Sequence, residues 1–273
     1  MSEPPLHILW RDEHLVAVYK PAGWLVHRTG LDAGETRFVL QTLRDQLQQR
    51  VHPVHRLDKG TCGVLLMALH PEAARRVGES FERHEVRKRY LALVRGWAPA
   101  EAEVDHPLRP DDAPPDAPAQ PAQTRFRRLA RLELQGPGAP ADPRYPSSRA
   151  SLVEAWPLTG RRHQIRRHLK HLAHPILGDA THGKGPVNRW WAEQLGQQRL
   201  WLHAAELALP HPFSGEWLRL DSGLALEWGA RTALAQTGPG SDWQRCLGPL
   251  PWCAGDMPPT PAPDTMEAFR PLT

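Results

Sequence analysis

The chain of 273 residues has only three cysteines, Cys62, Cys246 and Cys253. They lie too far apart for a CxxC pair, so neither a disulfide framework nor a thiolate metal site is expected. Long apolar runs are missing too. No window of about 18 uncharged apolar residues occurs, and the N-terminal MSEPPLHILWRDEHL has no hydrophobic stretch behind a basic start. A soluble, cytoplasmic protein without membrane segments is expected. Phosphate-loop and dinucleotide glycine motifs are absent, as are internal repeats and a regular strand–helix alternation. Lysine is scarce as well. Of 34 basic residues only five are Lys, so arginine dominates, the better residue for bidentate phosphate contacts and for stacking on bases. A net charge of +4 with His neutral, 15 His and a pI near 9.2 suit a polyanionic partner without demanding one.

Apolar residues make up 40% of the chain and include 11 Trp, enough to fill a core. Residues 6–27 read as short strands, HILW, LVAVYK and WLVH, broken at Arg11-Asp12-Glu13 and at the Pro21-Ala22-Gly23 turn. Phe38, Val39, Leu43 and Leu47 share one helical face within 35–50. A strand over 63–69, a helix from Pro71 and strands over 86–97, 124–134 and 150–158 follow. Residues 110–123, with five Pro and no large apolar side chain, read as an exposed insertion, and the Pro/Gly-rich 136–148 as a loop. Beyond lie a Trp-rich helix at 187–196, a strand at 199–209, a hairpin centred on Ser214-Gly215 and a helix over 223–235. Hairpin-linked strands predict an α+β fold, a mixed, largely antiparallel sheet with flanking helices, over residues 1–237. A loose Pro-rich tail is expected over 238–273.

Two stretches carry the chemistry. In VHPVHRLDKGTCGVLLMAL (51–69), Asp58 sits with His55, Arg56 and Lys59 on a turn before an apolar strand. The residues alone leave two readings open: a carboxylate held for reaction, or a turn cap paired with Arg56. The second stretch, TGRRHQIRRHLKHLAHP (159–175), has Arg161, Arg162, Arg166, Arg167 and Lys170 and no acid. Thr159 is the expected N-cap, and Ile165, Leu169 and Leu172 form a narrow apolar stripe. Arg162 and Arg166 border that stripe, whereas His163, Arg167 and Lys170 face solvent. His163, His168, His171 and His174 lack a carboxylate or Cys to complete a metal set, so no metal is expected. Tyr90, one of only three Tyr, stands at a basic strand entrance, where it is either an ordinary half-buried sheet residue or a stacking group.

In order along the chain, HRLDKGTCG (55–63), KRYLALVRG (88–96), PLTGRRHQIRRHL (157–169), HPILGD (174–179) and HAAELALPHP (203–212) resemble the motifs of the RluA-type pseudouridine synthases. VYKPAGWLVHRTGLD with VLQTLRDQL is most similar to the TruC-type branch, the tRNA pseudouridine-65 synthases. One departure is Cys62, where that family usually has Ser. The resemblance implies a single catalytic domain with a central cleft, acting as an RNA isomerase without cofactor. It implies Asp58 as the catalytic aspartate, Tyr90 as the aromatic that stacks on the target base and Arg166 as the basic partner of Asp58. Arg56 and His55, with Arg161, Arg162, Arg167 and Lys170, are implied to contact RNA, most simply tRNA. Two alternatives stand beside it, a ribosomal RNA substrate and a non-catalytic RNA-binding protein on the same fold.

Overall fold

A computed structural model of the chain describes residues 4–28, 34–111, 113–114, 116–135, 147–224, 238 and 240–253. The elements run β1 (Ile8–Arg11), β2 (Leu15–Lys20), α1 (Val39–Leu47), β3 (His52–Pro53), β4 (Cys62–Ala68), α2 (Pro71–Glu82) and β5 (Arg87–Arg95). They continue with β6 (Glu101–Asp105), β7 (Gln123–Gln135), β8 (Ser147–Pro157), α3 (Gln164–His171), α4 (Gly185–Leu195), β9 (Leu202–Pro210), β10 (Trp217–Asp221) and α5 (Ser241–Leu247).

The strands form one sheet in the order β1-β2-β4-β9-β5-β8-β7-β6, with β10 added on β9 and β3 on β4. Among the described strands every pairing is antiparallel except β4 with β9. LVAVYK and CGVLLMA are continuous apolar runs because both faces of β2 and β4 are covered. Val39 and Leu43 of α1 meet Val16, Val18, Leu65 and Met67 on one face. Ala73 and Val77 of α2 meet Leu15, Ala17, Val64 and Leu66 on the other. Each such buried Leu or Val contributes roughly 1.5–3 kcal/mol relative to exposure. The hairpin-linked strand pattern thus yields the α+β architecture it predicts. Among the described residues, no helix is long and apolar enough to cross a membrane.

Three local expectations are corrected and one strand is new. WLVH is not a strand: after the 21–23 turn only Leu25 bridges Phe38, and the carbonyls of Leu25 and Val26 accept the first amides of α1 at 2.9 Å. Those amides have no partner inside their own helix, so the chain is drawn to the helix end. Thr159 is not the N-cap of α3. That place is His163, in left-handed backbone, while the Thr159 hydroxyl donates to Gln164 Oε1 and accepts from the Gln123 amide. β6 had no apolar alternation to announce it, since only Val104 of its five residues is buried. The loose chain expected from residue 238 does not hold for 241–253: α5 buries Trp243 and Leu247 completely, and Trp252 bridges Leu132. The helix expected over 223–235 and most of the loop over 136–148 lie outside the described residues.

Candidate active site

Asp58 leaves the chain on the turn between β3 and β4, and a fully buried lysine holds that turn. Lys20 Nζ donates to the carbonyls of Pro21, Lys59 and Thr61 at 3.1, 3.1 and 2.7 Å, matching the three donors of an ammonium. Burial pushes Lys20 down to about 7, with the Asp58 carboxylate pulling the other way. The Gly23 amide donates to Lys59 O at 2.8 Å and the Thr61 amide to Asp58 O at 3.1 Å. One residue from the end of β2 therefore ties the loop on the β4 side of Asp58.

Arg166 on α3 supplies the second hold. Its Nε and Nη2 donate to the two oxygens of buried Asp179, both at 2.8 Å, which leaves Nη1 to donate to Asp58 Oδ2 at 3.0 Å. Asp179 also accepts the amides of Thr181 and His182 at 2.9 Å. Burial opposes the charge on Asp179, but the guanidinium and these amides outweigh it and hold the carboxyl below its usual range. The preceding Gly178 is obligatory: its φ is +77° and a Cβ there would strike the Arg199 carbonyl. The fork is thus locked on one carboxylate and offers its remaining donor to the other.

Two cavities meet at Asp58. The first, of about 280 Å³, is lined by His55, Arg56, Asp58, Tyr90, His163 and Arg166 among others. The second, of about 630 Å³, shares Arg56, Asp58, His163 and Arg166 and adds Lys59, Arg162 and Asp179. Tyr90 stands on β5 beside Asp58 in the first cavity, and burial pushes its phenol above the ordinary value, so it presents a neutral aromatic face. Asp58 keeps 25% of its side chain exposed, enough to meet a substrate.

The structure therefore brings Asp58, Tyr90, Arg166, Arg56 and His55 together, with two amendments. His55 is not a cation: its Nε2 accepts the Leu66 amide at 2.9 Å, and burial pushes it down to about 3. His163, expected to face solvent, turns inward, with Nε2 at 3.9 Å from Asp58 Oδ2 and Nδ1 at 2.8 Å from Asp111 Oδ2. Lys170 is exposed, while Arg161 donates to a carbonyl of the insertion, Pro121 O at 3.1 Å, and Arg167 to the residue just before it, Arg109 O at 2.6 Å. Among the other histidines of this helix, buried His168 bonds Thr124 and the His106 carbonyl, and His171 stacks on His106. No three His, Cys, Asp or Glu groups among the described residues converge to hold a metal ion.

Sequence reading passed over Lys20 and Asp179 as site residues. Lys20 was visible as a rare lysine in an arginine-rich chain, directly before Pro21, and Asp179 closes the HPILGD stretch.

Comparison with known proteins identifies the family. Residues 14–171 match the family model described as RNA pseudouridylate synthase. The chain is 50% identical over 245 residues to tRNA pseudouridine synthase C of Salmonella typhimurium, covering 85% of this chain and 90% of that protein. With the Vibrio cholerae protein of the same name it shares 47% identity over 82% of this chain and 93% of the other. Among solved structures, human RNA pseudouridylate synthase domain containing 1 superposes with a TM-score of 0.64 at 25% identity, over 82% of this chain and 86% of that one. Human RNA pseudouridylate synthase domain containing 4 gives 0.59 at 30% identity, over 80% and 88%. A family model matched over more than half of the chain, relatives at about half identity along most of it and a shared architecture together place this protein in the RNA pseudouridylate synthase family.

Proposed function

We propose that the protein isomerises a uridine of tRNA to pseudouridine, at position 65, with Asp58 as the reactive carboxylate. The observation that carries the assignment is the Asp58–Arg166–Asp179 relay: a carboxylate open to two cavities, gripped through one donor of a guanidinium that a buried second carboxylate keeps in place. The reaction breaks N1–C1′, turns the base and joins C5 to C1′, with no net redox change and no hydrolysis. A single carboxylate serves it as nucleophile or base. Lifting the uridine from its helix costs roughly a few kcal/mol, which the Tyr90 face and the Arg56 guanidinium help to offset. The tRNA assignment rests on the names of the relatives and on the 19–47 stretch.

Asp58→Asn is expected to abolish pseudouridine formation in a tRNA transcript while changing tRNA affinity by less than about threefold. Retained isomerisation would overturn the role of Asp58. Pseudouridine mapping of total RNA from cells with and without the protein should show one tRNA site lost, at position 65. Loss of a ribosomal RNA site instead would transfer the activity to that substrate.

A further inference from the structure

The proline-rich insertion brings its own anion to the rim of the cleft. Its ends are tied together, because Leu108 and Gln120 exchange backbone hydrogen bonds of 2.8 and 3.0 Å and Leu108 is buried. Pro110 opens a turn closed by the Ala113 amide on its carbonyl at 3.2 Å. From that turn Asp111 reaches the start of α3. Its Oδ2 lies 2.8 Å from His163 Nδ1 and 3.6 Å from Arg162 Nε, and its Oδ1 lies 3.3 Å from Arg167 Nη1. Other ties hold the strap without Asp111: Arg167 to Arg109 O, Arg161 to Pro121 O, and His106 stacked on His171 with centroids 4.3 Å apart. His163 stands between two carboxylates, with Asp58 on its other nitrogen.

Two guanidiniums and an imidazole converging on one pair of oxygens make a site for a phosphodiester as much as for a carboxylate. Arg162 and His163 also line the larger cavity, so an anion in this place lies one imidazole away from the reactive Asp58. We infer that Asp111 stands in for a backbone phosphate of the RNA, and that a phosphate next to the target uridine displaces it from Arg162, His163 and Arg167. The inference rests on RNA being the substrate. The exchange replaces an internal anion rather than mobile counterions, so these cations contribute less to salt-dependent affinity than free ones would. It also weakens the grip on polyanions that do not fit the strap.

The test is tRNA binding by the full chain, read by fluorescence anisotropy over a range of salt concentrations. Asp111→Asn should bind about threefold to tenfold more tightly at about 0.1 M salt, with a log–log salt slope steeper by about one phosphate contact. Asp111→Glu, which keeps the charge, should behave as the unaltered protein. In an Arg167→Gln background the gain from Asp111→Asn should fall below about twofold. Should Asp111→Asn melt at a lower temperature, Asp111→Ser provides the second neutral variant. Equal or weaker binding by the folded neutral variants, with an unchanged slope, overturns the role of Asp111 while leaving the enzyme assignment intact. An unaltered protein that neither binds nor isomerises tRNA overturns both.

Discussion

Arg166 and Arg199 are both buried and both paired with an aspartate, yet only one of them reaches the cleft. Arg166 gives two donors to Asp179 and turns the third toward Asp58. Arg199 pairs with Asp242 of α5, lies over the rings of Trp201 and Trp243 and donates to Cys62 Sγ at 2.8 Å. Both therefore brace the segment from Asp58 to Cys62, one from the open side and one from the packed side. An identical pair of residue types faces a cavity or only frames the fold according to whether one donor is left for a carboxylate in the cleft.

The sharpest way to break the symmetry is Asp179→Asn. It strips a buried guanidinium of the more deeply buried of its two carboxylate partners, expected to cost about 3–5 kcal/mol in denaturant unfolding. In the folded fraction kcat should fall at least about 100-fold, since a displaced donor no longer holds Asp58 in place. Acid probes the packed side. His203, fully buried against Cys62 Sγ and Ser222 Oγ, is pushed by burial, with help from Arg199, from 6.5 down to about 3. Between those values the unfolded chain binds a proton that the folded one refuses, so stability is lost as pH falls through that window. Unfolding followed from pH 6.5 to 4 should show His203 contributing about 2–4 kcal/mol of the loss beside the contribution of His55, so His203→Gln should reduce the loss by that amount and leave the His55 part in place. The mildest change is Asp242→Asn, whose carboxylate is partly exposed. About 2–3 kcal/mol of stability should go, while kcat per folded molecule stays within about threefold. A collapse of kcat comparable to that of Asp179→Asn would erase the distinction between the two arginines.

The parts legible in the chain were those with a local signature. Apolar alternation and turn residues located most strands, and Asp58 with its neighbouring cations marked the loop that lines both cavities. What escaped depends on distant partners. Gly160 to His163 reads as the opening of a helix, yet Gln164 bonds Thr159, Thr124 and the Gln123 carbonyl and thereby delays α3 until residue 164. Trp243 looks like part of a Pro/Gly-rich tail until Arg199, 44 positions earlier, supplies a cation for Asp242. The inward turn of His163 was hidden for the same reason, because Asp111 belongs to a segment whose composition promised only exposure.

The single parallel pairing among the described strands bears on how the enzyme comes into being. β4 meets β9 through Cys62 with His203 and Gly63 with Ala204, and Gly63, at φ +113°, leaves no room for a Cβ against the Ala204 carbonyl. Two stretches of backbone some 140 residues apart must therefore close on each other beside the Asp58 loop. Such remote closure is among the slower events of folding. During synthesis the Asp58 loop lacks this wall until residue 204 has left the ribosome, so the cleft around it is completed only after most of the sheet has been made.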